Sequence, residues 1–251
     1  MSSATSSRLP STASGFAQQL RRVAPLNSKS VRRLVNRFAI LIAFPILAGS
    51  LPTVADDRFP TAPGTYWVYR GKTSWTMPGT NVVESRELTW RVEVKERRQG
   101  DGFEVAVLSG FPSDLAWYEP GKQPGEYALI ILNGSAYYLV EGAAAVSAVR
   151  EGQGMPAVQD SDLLFRWPLH TGDRFGEPES VTRSDGMYCW VVEEARRSER
   201  SGIERYSLTL RTMPDHEAID FVPGLGVVAF AYAHHGTVSS TDLRLIEFGR
   251  P

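Results

Sequence analysis

Apolar residues recur at every second position over most of the chain, and turn residues punctuate them. In Leu88, Trp90, Val92 and Val94 the apolar set alternates with Thr89, Arg91, Glu93 and Lys95. Tyr206, Leu208 and Leu210 repeat the pattern against Ser207, Thr209 and Arg211. Side chains on a strand point to opposite faces in turn, so a period of two means one buried face and one wet face. No segment alternates strands with long helical patterns, which removes the doubly wound folds. The chain therefore reads as all-β with a minor helical part. Consecutive antiparallel strands pair with their neighbours, and a meander of ten or more curls into an open barrel or a strongly curved sheet.

Turn chemistry sets the register. Asn133-Gly134 is the strongest short hairpin signal. Ser184-Asp185-Gly186 reads as another hairpin, between 179–183 and 187–194. Pro223-Gly224-Leu225-Gly226 is a third. Pairing Pro223 with Gly226 sets Phe221 against Val228, Ile219 against Phe230, Glu217 against Tyr232 and Asp215 against His234, all on one face. Asp220, Ala218 and His216 share the other face with Ala229, Ala231 and Ala233. Residues 142–162 break the strand pattern. A short helix over 143–150 ends at Gly152, Gly154 and Pro156, and this segment is a candidate lid or plug.

The 251 residues divide into three stretches. Residues 1–30, rich in Ser, Thr and Ala, read as a disordered or misassigned extension. Residues 31–55 carry a basic region around Arg32-Arg33, a short apolar run and a small-residue end, the pattern of an export signal. That run is shorter than the ~20 residues of a membrane span. Residues 56–251 form a single barrel-like domain, expected in the periplasm, outside the cell or on its surface. The membrane is engaged only through the N-terminal signal.

The net charge of −1 and the scattered basic residues leave no footprint for nucleic acid. Cys189 is the single cysteine, so packing replaces any intrachain disulfide. It reads as a buried thiol within an apolar strand.

Pro60, Gly64 and Trp67 match a Pro-Leu-x-x-Gly-x-x-Trp opening, with Thr61 in place of Leu. Trp167-Pro168-Leu169 with Gly172 resembles a second copy. Pro223, Gly224, Gly226 and Val227 match a Pro-Gly-x-Gly-Val closing hairpin. In these motifs the chain resembles uncharacterised exported bacterial β-domains, which are similar to periplasmic lipoprotein carriers, open barrels with a helical lid around an apolar cavity. The resemblance implies a carrier for a hydrophobic or lipid-like ligand and names no catalytic residue.

The residues themselves point to little chemistry. There is no P-loop, His-Glu-x-x-His, Cys-x-x-Cys or Gly-x-Ser-x-Gly, and nothing calls for a cofactor. The register brings Asp215, His216, His234 and His235 to one end of a hairpin. Asp215 with His234 reads first as a structural hydrogen bond, then as part of a metal site, then as a catalytic dyad. Trp90, Phe230 and Tyr232 are candidate walls of a ligand cavity. Trp117 and Tyr118 are a candidate loop rim. The leading expectation is a non-catalytic binding module of the cell envelope. A structural or protein-interaction domain with an envelope partner, and a metal-dependent hydrolase using the Asp/His set, are the alternatives.

Overall fold

The computed structural model describes residues 58–77, 79–114, 123–152, 154–234 and 239–251. The expected extension and export signal, together with Trp117, Tyr118 and His235, lie outside the described residues. The described residues all belong to one compact unit, Pro52–Pro251.

Among the described residues, twelve antiparallel strands form one sheet. They are β1 (Tyr66–Thr76), β2 (Val83–Gly100), β3 (Phe103–Ser109), β4 (Glu126–Leu132), β5 (Ala136–Glu141), β6 (Leu163–Arg166), β7 (Arg174–Phe175), β8 (Trp190–Arg197), β9 (Glu204–Arg211), β10 (Asp215–Val222), β11 (Gly226–His234) and β12 (Ser239–Gly249). Each strand pairs with the next except β6 with β7, and β1 closes on β12 over ten residue pairs from Tyr66↔Gly249 to Trp75↔Ser239. The barrel is nearly closed, as the meander pattern predicts, and only the short strands β6 and β7 leave a seam.

The hairpin β10–β11 keeps the expected register from Asp215↔His234 to Asp220↔Ala229. Beyond it a bulge shifts the ladder, and Phe221 meets Val227 rather than Val228. An extra residue on one strand sharpens the twist, which lets the hairpin bend over the barrel end. The Asn133-Gly134 turn has both central residues at positive φ (49° and 63°), the type I′ geometry that its sequence favours. The hairpin expected around Ser184-Asp185-Gly186 is not formed. Residues Pro178–Val181 make a helical turn with Pro at its first position, and Arg174 binds the carbonyls of Val181 and Arg183. Pro178 lacks the N–H that a ladder needs, and its fixed φ suits a helix start. The strand expected from Met187 begins only at Trp190, because Tyr188 sits at φ 62°.

The two motif copies build the same corner twice. Gly64 donates its N–H to Val94 O (2.9 Å), and Val94 donates back to Thr65 O (2.9 Å). Gly172 donates to Val192 O (2.8 Å), and Val192 donates back to Asp173 O (2.9 Å). Both glycines have positive φ, 88° and 92°. A register shift follows each valine, between Val94 and Glu96 and between Val192 and Glu194.

The helix α1 (Ala143–Glu151) is present but is not a plug. It packs on β3, β4 and β5, burying Val146 and Val149. Arg150 binds Glu96 and Glu126 (3.1 and 2.9 Å), and Arg98 donates to Gly152 O. Glu96 and Arg98 pair with Val107 and Val105, the face opposite Leu108 and Ala106. Alternation places that face outside the barrel. The helix thus covers an apolar patch on the outer wall, which explains why both faces of β3 and β4 are buried.

Aromatic side chains fill the interior at the end where the chain enters β1. Phe165 packs on Phe221 (4.8 Å) and Tyr137 (4.6 Å), and Phe59 on Trp67 (5.6 Å) and Phe221 (6.2 Å). Buried N–H and O–H groups need partners. Trp67 Nε1 donates to Leu225 O (2.5 Å), and the Tyr69 hydroxyl donates to Val227 O (2.8 Å).

Candidate functional site

Strand direction sorts the connections between the two barrel ends. At the aromatic end they are short, such as residues 101–102, 133–135 and 223–225. The long connections, residues 110–125, 142–162 and 176–189, all lie at the opposite end. Long loops on a rigid scaffold are where binding groups concentrate.

The inward side chains change character towards that end. One interior row across β8–β12 is apolar: Val192, Leu208, Ile219, Phe230 and Leu243 face one another in turn. The next row runs Trp190, Leu210, Glu217, Tyr232, Thr241 and, on β1, Thr73. The outermost row holds Asp215, His234 and Ser239. The barrel mouth is thus a polar ring above an apolar floor.

Between them lies a cavity of about 100 Å³. Its apolar walls are Phe111, Leu139, Leu164, Trp190, Ile219 and Phe230. Glu217, Asp162, Ser113 and Ser161 supply the polar lining. The Glu217 carboxyl has no hydrogen-bond or ion-pair partner among the described residues. Burial, and then the nearby carboxylates of Asp215 and Glu141, push it up to about 7. Both causes oppose the charged form.

Asp215 has the opposite environment. His234 Nδ1 lies 2.7 Å from Asp215 Oδ1, and the Tyr232 hydroxyl donates to the same oxygen (2.8 Å). The backbone N–H of Asp215 is held by Thr212 Oγ1 (3.1 Å). The His234 hydrogen bond, aided by Tyr232 and working against burial, holds Asp215 below the usual carboxylate range. Two carboxyls one turn of the pleat apart are therefore driven in opposite directions.

Of the sequence candidates, Phe230 lines the cavity. Trp90 stands behind its wall, donating from Nε1 to the carbonyl of the lining residue Phe111 (3.1 Å). Tyr232 is committed to Asp215. Asp215 and His234 come together, whereas His216 is half-buried on the opposite face of β10 and pairs with Ala233. Among the described residues no three His, Cys, Asp or Glu side chains are placed to hold a metal ion. Among the described residues the hydrogen-bond partner of His234 is Asp215. His170 sits exposed in its expected turn against Asp173. Cys189 is buried, with its sulfur 3.8 Å from Gly186 O.

Glu217, Trp190 and Asp162 were not among the sequence candidates. For Glu217 the signal was present: the register places this one acid on the apolar face between Ile219 and Asp215. Trp190 opens β8, where the sequence pattern sets no strand boundary, and Asp162 reaches the site from the turn Asp160–Asp162, which no pairing rule connects to it.

No protein-family model matches the chain, and no curated protein sequence does. Two solved structures are similar to it. One is a Bacteroides fragilis protein named as exported, with a YmcC-like fold. It shares 10% identity at a TM-score of 0.36, covering 75% of this chain and 98% of its own. The other, from Parabacteroides distasonis, is named as a lipoprotein. It shares 15% identity at a TM-score of 0.33, covering 76% of this chain and 97% of its own.

Proposed function

We propose that the chain is an exported cell-envelope protein that binds a small ligand, without catalysis, at the long-loop end of its barrel. The observation that carries this reading is the cavity whose six apolar side chains meet Glu217, a carboxyl with no hydrogen-bond or ion-pair partner among the described residues, beside Asp162, Ser113 and Ser161. Such a combination of apolar walls with few polar groups suits ligand recognition. Export rests on the pattern of residues 31–55. The volume of about 100 Å³ narrows the ligand, since pockets for drug-sized molecules start near ~300 Å³. A lipid chain exceeds it, and the carrier idea is kept here for a small ligand only.

A protein-interaction role is the second reading. It is supported by the β1–β2 hairpin tip at the same end, where Met77, Val82 and Val83 are exposed together. Native mass spectrometry of the full chain from an export-competent host, with elemental analysis, separates the readings. A co-purified small organic mass without metal supports the binding module. Stoichiometric zinc lost in His234→Ala restores the hydrolase. An unliganded protein that captures an envelope partner through the hairpin tip supports the interaction domain.

A further inference from the structure

We infer that the cavity takes a short-chain organic cation, a primary alkylammonium of about four non-hydrogen atoms, with its charge on Glu217 and its carbon body against Trp190, Phe111 and Phe230. This rests on the binding reading above and names the ligand class of that same site. Size follows from proportion: a cavity of ~150 Å³ holds benzene, so about 100 Å³ holds about four such atoms.

Charge follows from the lining. Among the described residues no Lys or Arg lines the cavity, and an anion would meet only carboxyls and hydroxyls there. A neutral apolar guest would leave the Glu217 carboxyl facing hydrocarbon, and desolvating a polar group that gains no hydrogen bond is costly. A bare metal ion requires several donors on one centre, and the walls are mostly carbon. An alkylammonium satisfies both halves of the site. Its N–H groups find acceptors in the polar part of the lining, the Glu217 carboxylate foremost and Asp162, Ser113 and Ser161 beside it. The methylenes meet the apolar floor, and aromatic faces favour a nearby cation.

The other titratable groups around Glu217 reinforce the preference. From β10 comes Asp215, from β5 Glu141 and from the turn Asp160–Asp162 the Asp162 carboxyl. From β11 come Tyr232 and His234, both already bonded to Asp215. Burial and the neighbouring carboxylates hold Glu217 up to about 7, and a bound ammonium favours its ionised form. Binding at slightly acid pH then follows a balanced exchange: RNH₃⁺ enters, the Glu217 carboxyl loses its proton to solvent, and an ion pair remains. No covalent bond to the ligand forms or breaks.

The test is calorimetric titration of the full chain with n-propylammonium, with neutral 1-propanol as the same-sized comparison. The expected result is saturable propylammonium binding that tightens at least tenfold from about pH 5.5 to about pH 8. Near pH 6, buffers of different ionisation enthalpy should report a proton released on binding. Glu217→Gln should weaken propylammonium at least tenfold and leave 1-propanol within twofold. Equal binding of the cation and the alcohol, or a cation affinity indifferent to pH, overturns the cation assignment and leaves the small-ligand reading standing. Binding of neither probe overturns both. The wild-type pH profile decides the matter even if the variant folds poorly.

Discussion

Glu217→Gln should change how stability depends on pH. Glu217 holds its proton to about 7 in the fold, against an ordinary value of 4.5. Between those values the native state keeps a proton that the unfolded chain has released. Stability therefore falls as pH rises through this window, and the loss is complete above about 7. The interval from 4.5 to about 7, at ~1.4 kcal/mol per pH unit, amounts to about 3 kcal/mol. The carboxyl sits near the mouth and is only half-buried, so solvent screening reduces this to about 2 kcal/mol. Gln has nearly the same shape and does not titrate. Urea unfolding of both proteins from about pH 4.5 to about pH 8.5 isolates the term. The curves should nearly coincide at the acid end, and Gln should gain about 2 kcal/mol at the alkaline end. Parallel curves, separated by the same amount throughout, would refute the account of Glu217 as an unpartnered acid and remove the main support for the site.

Asp215 titrates in the opposite sense: its folded value is depressed, so its contribution is present above 3.8 and is lost as the pH falls through the folded value. Asp215→Asn should cost about 1–2 kcal/mol near neutrality, and the gap to wild type should shrink below about pH 4, as read by thermal melts. Phe221→Ala empties a fully buried site between Phe59 and Phe165 and should cost about 3–5 kcal/mol in urea unfolding. Cys189 is 1% exposed and burial raises its thiol value, so a thiol reagent such as dithionitrobenzoate should react only on denaturation. Gly172→Ala meets no atom within 4 Å of the new Cβ, whereas at Gly64 it meets Pro251 at 3.7 Å. Each change should therefore cost mainly the ~1 kcal/mol of positive φ, and the two costs should add in a double-variant melt.

The parts of the fold legible in the sequence were those fixed by local chemistry. Asn133-Gly134 dictates its own turn, and Leu88 to Val94 cannot face any other way without exposing a tryptophan. The β10–β11 register was readable because Ile219 and Phe230 must share the interior. It slipped only where the bulge before Phe221 adds a residue, a feature with no side-chain signature. The helix α1 was legible from its run of alanines and the stop at Gly152, but its side of the wall was not. That side depends on which face of β3 and β4 carries the second apolar stripe, and both faces are apolar. The Ser184-Asp185-Gly186 hairpin failed because Pro178 starts a helical turn where a strand was expected, and Arg174 then holds that turn in place.

The site was legible only in halves. Asp215 and His234 were found because they face each other across one hairpin, yet their mutual bond, shared with Tyr232, already engages Asp215 on the protein's own side chains. Glu217, two residues further in, where the row of inward side chains passes from polar to apolar, has no hydrogen-bond or ion-pair partner among the described residues. Its neighbours Trp190, at the start of β8, and Phe111 and Asp162, from two connections, are separated widely in the chain. The motif copies at Gly64 and Gly172 behave differently: they build equivalent corners, each locking a valine and each followed by a register shift. A motif that performs the same backbone task twice is accounted for by geometry. The recurrent residues thus build the corners at the aromatic end of the barrel, opposite the end where Glu217 and the cavity lie.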